Sequence, residues 1–400
     1  MPKERKRIAI VGTSFAGYTA ALELAKEIGA EHQVTVVGKS PHFVFIPSLI
    51  WMPFGLREPE DISFDVRPIY QKHGVEFIYQ EALGFDLQNR RITTAKDSIA
   101  YDYLILATGP KIDFESVPGL APGKTSWSIC TIDHALETRK AWNEFLKNPG
   151  PVVIGATQGA ACFGAAYEFL LNCRYQLKKH HLTEKAPLHF LTAEPFLAHF
   201  GIGGFGNAKE MCEKMFEHYG IRWTLNAIVK EVQPDRVILA SGEEIASRFT
   251  MLIPRFLGID AVRNTPGLAN ENGFIEVNEG YQHVRYPEIY AAGVAVAVAP
   301  PAKTPVPCGV PKTGYPCEQM AKVAVHNIVA SLKGGERKTL PFADIHALCV
   351  LDTGNMGMVI VGDHMLGPRA HEVILPGPQG HWAKLGFEKY FLATRKMGIV

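Results

Sequence analysis

Ile8-Ala9-Ile10-Val11-Gly12-Thr13-Ser14-Phe15-Ala16-Gly17 joins a short apolar run to a glycine turn. Ala20-Ala21-Leu22-Glu23-Leu24-Ala25 continues as a helix, and Gln33–Val37 follows as a second strand. Together they read as a β-α-β unit with glycine at the strand–helix junction. Gly12 and Gly17 suit a tight bend and close packing of the helix on the sheet. The helix N-terminus then offers free N–H groups and the positive end of its dipole to a pyrophosphate. Two features depart from the usual fingerprint. Ser14 stands at the middle glycine of G-x-G-x-x-G, and Gly38-Lys39-Ser40 follows the second strand where an acidic residue is expected. One imperfect glycine turn also occurs in folds that bind no nucleotide.

Two more stretches change that balance. Tyr103-Leu104-Ile105-Leu106-Ala107-Thr108-Gly109 is a buried strand ending in Ala-Thr-Gly, and Glu288-Ile289-Tyr290-Ala291-Ala292-Gly293 is another ending in glycine. With the first turn they resemble, in order and spacing, the FAD-binding signatures of flavoproteins built from two dinucleotide-type domains. That resemblance assigns FAD contacts to Gly12, Ser14, Ala16, Gly17, Lys39, Pro47, Thr108, Gly109, Gly293 and Val294. Val294 replaces the aspartate that normally follows the last glycine, so phosphate contacts are expected from backbone N–H groups.

A second β-α-β unit begins at Pro151-Val152-Val153-Ile154-Gly155-Ala156-Thr157-Gln158-Gly159-Ala160, with Leu188–Leu191 as its second strand. In related flavoproteins this unit binds NAD(P)H. Here Thr157 replaces the middle glycine and Cys162 falls in the first turn of the helix, so the fold is expected to persist without its nicotinamide site. The expected class is α/β with two Rossmann-like domains. An FAD domain (1–110 and 255–335) is interrupted by the second domain (111–254), and a C-terminal membrane-associating region (336–400) follows the Gly334-Gly335-Glu336 linker.

The 400-residue length fits roughly two to three domains. Lys+Arg number 41 against 40 Asp+Glu, a net charge of +1. A protein held to nucleic acid by phosphate contacts needs a large basic excess, so that class is excluded. Hydrophobic residues at 47% with 20% charged exclude disordered and collagen-like chains. Seven cysteines are too few to staple such a chain, and an odd count leaves at least one thiol unpaired. Met1–Arg7 is basic, but no secretory signal follows it. The longest uncharged apolar candidates, Pro41–Leu56 and Ile289–Pro301, are short and broken by proline. The chain is therefore expected to be cytosolic or bound to one face of a membrane.

Cysteine placement carries the chemistry. Cys130 lies in Trp127-Ser128-Ile129-Cys130-Thr131-Ile132-Asp133-His134, Cys162 in Gly159-Ala160-Ala161-Cys162-Phe163-Gly164, and Cys349 in Ala347-Leu348-Cys349-Val350-Leu351-Asp352. With these in view the chain is similar to the sulfide:quinone oxidoreductases of the disulfide-reductase flavoprotein superfamily. The likeness extends to Phe45-Ile46-Pro47-Ser48, to Val310-Pro311-Lys312-Thr313-Gly314-Tyr315 and to Lys384-Leu385-Gly386-Phe387-Glu388-Lys389-Tyr390-Phe391. Chemistry agrees with it. Hydrosulfide must attack an electrophilic sulfur, which a disulfide or polysulfide supplies. A helix N-terminus at Cys162 favours the thiolate that reduces the flavin.

The resemblance implies that Cys162 and Cys349 bracket the flavin and carry a growing sulfur chain, with Cys130 as the third essential thiol. In some relatives the counterpart of Cys130 is bonded covalently to the flavin, and the sequence leaves that open. His134 and His199 are candidate proton carriers. His134 follows Cys130 by one helical turn if a helix begins there. The other thirteen histidines are read as ordinary surface or core residues. Lys312-Thr313-Gly314 opens a helix expected at Cys317–Leu332, whose N-terminus would steady the charge of reduced flavin. Cys173, Cys212, Cys308 and Cys317 receive no role. Their spacing lacks the close pairs that zinc prefers, so no metal is expected.

Trp382–Met397 mixes aromatics with Lys384, Lys389, Arg395 and Lys396, as an interfacial helix does. By resemblance Leu348 and Phe387 flank the quinone ring, with Tyr390 and Phe391 at its entrance. The expected partners are sulfide, ubiquinone or menaquinone, a lipid bilayer surface on an unassigned side, and further copies of the chain as a homo-oligomer. Weighed against this are the flavin subunit of a flavocytochrome sulfide dehydrogenase, a type II NADH:quinone oxidoreductase, and a flavoprotein that only binds partners.

Overall fold

The computed structural model describes residues 4–400, so the first three residues of the basic Met1–Arg7 stretch lie outside the described residues. Strand β1 (Arg7–Val11) leads into helix α1 (Phe15–Ile28) and strand β2 (Gln33–Gly38). β3 (Glu76–Tyr79), β4 (Tyr103–Leu106) and the later strand Ile289–Ala291 complete a parallel sheet in which β1 is central. Its strands read as near-continuous apolar runs because both faces of the sheet are buried. The expected strand 103–109 leaves the sheet after Leu106, and Gly109 turns the chain at φ +70°.

The interrupting unit holds helix α2 (Ile132–Lys147), β5 (Val152–Ala156), α3 (Phe163–Lys179), β6 (Leu188–Thr192), β7 (Arg222–Thr224) and β8 (Phe249–Ile253). The sheet is again parallel, ordered β7-β6-β5-β8. The chain then returns to the first sheet through β9 (Ile289–Ala291) and helix α4 (Gly314–Lys333), longer at both ends than expected. Gly334, at φ +80°, ends it in the left-handed conformation that glycine tolerates.

The C-terminal region was expected only as a tail with one helix. It forms an antiparallel sheet, β10 (Ala347–Asp352), β11 (Gly357–Gly362) and β12 (Glu372–Gly377), packed under helix α5 (Pro378–Lys396). Among the described residues no helix is long and apolar enough to cross a membrane.

His189, inside β6, is buried with its Nε2 2.8 Å from the Thr224 hydroxyl. Burial, aided by the Arg222 charge, pulls it down to about 4. The unfolded chain therefore binds a proton below about pH 6.5 that the native ring refuses until about pH 4, and stability falls across that window. His189→Gln keeps a polar partner for Thr224 and removes the titration. Between about pH 7 and pH 4.5 the parent should lose about 2–3 kcal/mol more than this variant in chemical denaturation. Equal losses would show that the ring charges within the fold.

Candidate active site

The first glycine turn fits a dinucleotide phosphate. A Cβ on Gly12, at φ +121°, would lie 2.1 Å from the Ala107 carbonyl oxygen, and one on Gly17 would lie 2.1 Å from that of Gly12. Only glycine lets the turn and helix sit this close. α1 has no side-chain cap at Ser14 and no acid in its first turn. Its leading N–H groups thus remain available to an anion. α4 likewise starts at Thr313 without a side-chain cap or a first-turn acid, and a Cβ on Gly314 would strike the Phe15 ring at 2.6 Å. Two positive helix ends therefore converge beside Gly293, whose neighbours are Ala16 and Cys317. This cradle suits FAD, and Gly12, Ser14, Ala16, Gly17, Thr108, Gly109, Gly293, Val294, Thr313 and Gly314 are the residues that would hold it.

Two expected cofactor residues have other engagements. Lys312 donates from Nζ to the Val296 carbonyl at 2.6 Å and lies 4.3 Å from the Phe274 ring, where burial lowers it to about 8. Lys39 is exposed and makes a loose 4.0 Å ion pair with Glu81. Pro47 starts the 3-10 helix Ile46–Phe54.

The second turn is closed by protein. Thr157 N–H donates to Ile253, Gly159 N–H to Pro307 and Ala160 N–H to Thr157. The Gln158 side chain is tied to both backbone groups of Val229. Glu194, just beyond β6, turns inward instead of toward a ribose. It accepts from Tyr167 Oη at 2.8 Å, from Thr192 Oγ1 at 2.7 Å and from Phe200 N–H at 2.7 Å. Burial raises it to about 7.

Cys130, Cys162 and Cys349 come from separate elements and share one site. Cys130 precedes α2, Cys162 is the N-cap of α3, and Cys349 lies within β10. Cys162 lies within electrostatic reach of both other sulfurs, of Glu168 one face down α3, and of Lys384 on α5. All seven cysteines are free thiols, Cys162 and Cys349 among them.

The helix N-terminus was expected to make Cys162 a ready thiolate. Burial wins and raises it, although the Ala165 N–H and Lys384 pull the other way. Burial also pushes Cys130 and Cys349 to about 12. Cys349 is exposed by surface area, yet protein crowds its thiol closely enough to disfavour charge. These sulfurs rest as thiols, so negative charge formed on them needs compensation from Lys384.

Glu168 and Lys384 were missed from sequence, because a glutamate in an apolar helix and a lysine among aromatics look like surface residues. They form a buried ion pair at 2.8 Å. Glu168 Oε1 also accepts from Asp352 N–H at 2.7 Å, and burial raises this carboxyl to about 6 despite the lysine. Asp352 in turn accepts from Trp51 Nε1 at 2.8 Å and pairs with His381 Nδ1 at 2.5 Å.

α5 carries its polarity inward. Lys384, Glu388 and Arg395 are buried, held by Glu168, by Arg57 at 3.0 Å and Ser48 at 2.5 Å, and by Glu318 at 2.6 Å respectively. Trp382 and Tyr390, each 68% exposed, point outward with half-exposed Phe387. Lys384 and Arg395 therefore do not join Lys389 on the outer face, as the expected interfacial mixture required. Phe391 is also corrected. One residue on from Tyr390 it is turned by about 100°, and it is buried against Phe15, Phe45 and Phe387 instead of standing at an entrance.

Lys384 Nζ reaches the Val350 carbonyl at 3.3 Å. One helical turn rises about 5.4 Å, close to two strand residues, so the turn bearing Phe387 runs past exposed Leu348. Leu348, Val361 and Val373 stand in one cross-strand row, and all three are exposed.

The two histidines fall outside this cluster. Cys130 is not on the helix of His134, since α2 begins at Ile132. His134 packs edge-on against Phe114, at 5.3 Å, and burial lowers it. His199 is buried, lowered by that burial, and accepts from Gly201 N–H at 3.2 Å. Its loop abuts Phe163 and the Gly309 backbone, next to the residues before Cys162.

Two parallel nucleotide-type sheets, one open glycine turn and a clustered thiol trio define a flavin-dependent dithiol oxidoreductase fold. The pyridine nucleotide-disulphide oxidoreductase family profile matches residues 6–305. The chain is 38% identical to a sulfide-quinone reductase of Aquifex aeolicus, over 99% of its own length and 92% of the relative's. The X-ray structure of the sulfide:quinone oxidoreductase from that bacterium superposes with a TM-score of 0.94 over 98% of this chain and 92% of that one. A mitochondrial sulfide:quinone oxidoreductase of Mus musculus is 25% identical over 73% of this chain and 66% of the relative. An NDH2 structure from Plasmodium falciparum shares the fold at TM-score 0.70 and 15% identity, covering 94% of this chain and 92% of that one. The chain belongs to the sulfide:quinone oxidoreductases within the pyridine nucleotide-disulphide oxidoreductase family.

Proposed function

We propose that the protein oxidises sulfide to polysulfide or elemental sulfur and passes two electrons through FAD to a membrane quinone. The convergence of Cys130, Cys162 and Cys349 beside the Glu168–Lys384 pair carries this reading. Two-electron oxidation of the Cys162 and Cys349 thiols, with bound FAD and then quinone as the acceptors, would first give a Cys162–Cys349 disulfide, which hydrosulfide attacks. A new sulfur–sulfur bond forms to one cysteine, and the other leaves as a thiolate bearing the electron pair. Glu168, near neutrality, takes the proton of hydrosulfide, and Lys384 balances the thiolate. The persulfide sulfur then bonds to the freed thiolate, closing a trisulfide and releasing two electrons, which bound FAD would accept and hand on to quinone. Repetition lengthens the sulfur chain between the cysteines until it leaves.

In this reading FAD is held by segments 1–110 and 255–335, residues 111–254 supply the first cysteines, and 336–400 supplies Cys349 and the quinone contacts. Leu348 and Phe387 flank the quinone, with Tyr390 at the mouth. His134 and His199 serve as outer proton carriers. The exposed aromatics of α5 and the apolar row on β10–β12 support a peripheral, monotopic attachment to a bilayer.

Anaerobic stopped-flow mixing tests this directly. Sulfide should bleach the flavin and a soluble quinone should restore it, whereas NADH should leave it oxidised. Bleaching by NADH instead would overturn the reading and favour an NADH:quinone oxidoreductase.

A further inference from the structure

A cavity of about 460 Å³ opens at the far end of α3. Arg174, Lys178, Lys179, His181 and His218 line it, and no carboxylate does. The chain as a whole is almost neutral, so this is a local concentration of positive charge. Lysines near a helix C-terminus ordinarily offset its dipole. That account covers Lys178 and Lys179, but not Arg174 a turn earlier or His218 from a different helix, Ala208–Tyr219. Arg174 stacks on the Tyr219 ring at 3.6 Å, and its Nε is buried with no hydrogen-bond partner among the described residues. The stack fixes the plane of the guanidinium, whose outer N–H groups would meet a phosphate oxygen in the cavity.

The opposite wall is the Thr353–Met356 turn between β10 and β11. It is held close, because a Cβ on Gly354, at φ +101°, would lie 2.3 Å from the Tyr175 ring. The same hairpin abuts the start of α5, where a Cβ on Gly357 would lie 2.5 Å from the Gly380 and His381 backbone. Exposed Met356 lines the cavity, and its hairpin abuts the helix that carries exposed Trp382, one of the aromatics assigned to the bilayer.

We propose that this cavity binds the phosphate of an anionic membrane lipid. The inference rests on the peripheral-membrane reading above. The apolar face enters the interface while the basic cavity selects the headgroup beside it.

The test uses the full flavin-loaded chain and co-sedimentation with vesicles of phosphatidylcholine, with or without phosphatidylglycerol. The parent should partition more strongly onto the anionic vesicles. The triple variant Arg174→Gln, Lys178→Gln, Lys179→Gln should lose about a hundredfold there, at about fivefold per basic group, and should match the parent on neutral vesicles. Lys178→Arg with Lys179→Arg should keep the preference, and detergent-phase sulfide-to-quinone activity should be unchanged in all variants. Equal parental binding to both vesicle types would overturn this inference and leave the membrane reading standing. Binding to neither would overturn both. Displacement by inorganic phosphate, but not by chloride at the same ionic strength, would move the assignment from lipid to free phosphate.

Discussion

Cys162→Ser is expected to slow reduction of the flavin by sulfide by about three orders of magnitude or more. The yellow protein should form normally, because the glycine turn and helix ends that would hold the dinucleotide are untouched. Serine keeps the cap of α3 and fits the same space, so the loss isolates the sulfur itself. Cys162 is the hub of the trio, within reach of both Cys130 and Cys349 and of both members of the buried ion pair. Cys349→Ser should lose a similar factor, since one thiol cannot form the bridge that hydrosulfide attacks. The measurement is the rate of flavin bleaching after anaerobic mixing with sulfide, with dithionite reduction as the control for an intact flavin. A serine variant that bleaches at the parental rate would remove Cys162 from the reaction.

Lys384→Met should cost about 3–5 kcal/mol of stability, the usual result of stranding one charge of a buried pair. Lys384 is 4% exposed and donates to Glu168 at 2.8 Å. Without it Glu168 keeps only the Asp352 N–H and must stay protonated to higher pH. The double variant Lys384→Met, Glu168→Leu should recover most of the loss, because well-packed apolar pairs replace buried ion pairs at little cost. Urea unfolding of the four combinations gives the coupling, and additive single losses would show that the two charges do not communicate. Activity separates the roles further. The double variant should be stable yet slow in sulfide oxidation, having lost both the proton acceptor and the thiolate's counter-charge.

The parallel sheets were legible because buried strands leave long apolar runs and because Gly12, Gly17 and Gly155 stand where close backbone approach admits nothing larger. The cysteines were legible through their local contexts. The Glu168–Lys384 pair was not, since burial of a charge depends on a partner 216 residues away. Phe391 was misread for the same reason. In the sequence it is one aromatic among several, and only the packing against Phe15 and Phe45 decides which side of α5 is inside. The antiparallel sheet of the C-terminal region went unseen because β12 is exposed along most of its length and lacks a buried face to impose alternation.

The inward charges of α5 also bear on what holds the enzyme together. Lys384 clasps the second Rossmann-like unit through Glu168, while Glu388 and Arg395 clasp the first through Arg57 and Glu318. The helix is thus a three-toothed key, cut on one side for two separate wards, with Trp382 and Tyr390 on its back. A key seated by its teeth does not depend on the hand that touches its back. Lifting the protein off the bilayer should therefore leave the sulfur site assembled, with Cys349 and Lys384 still in register with Cys162.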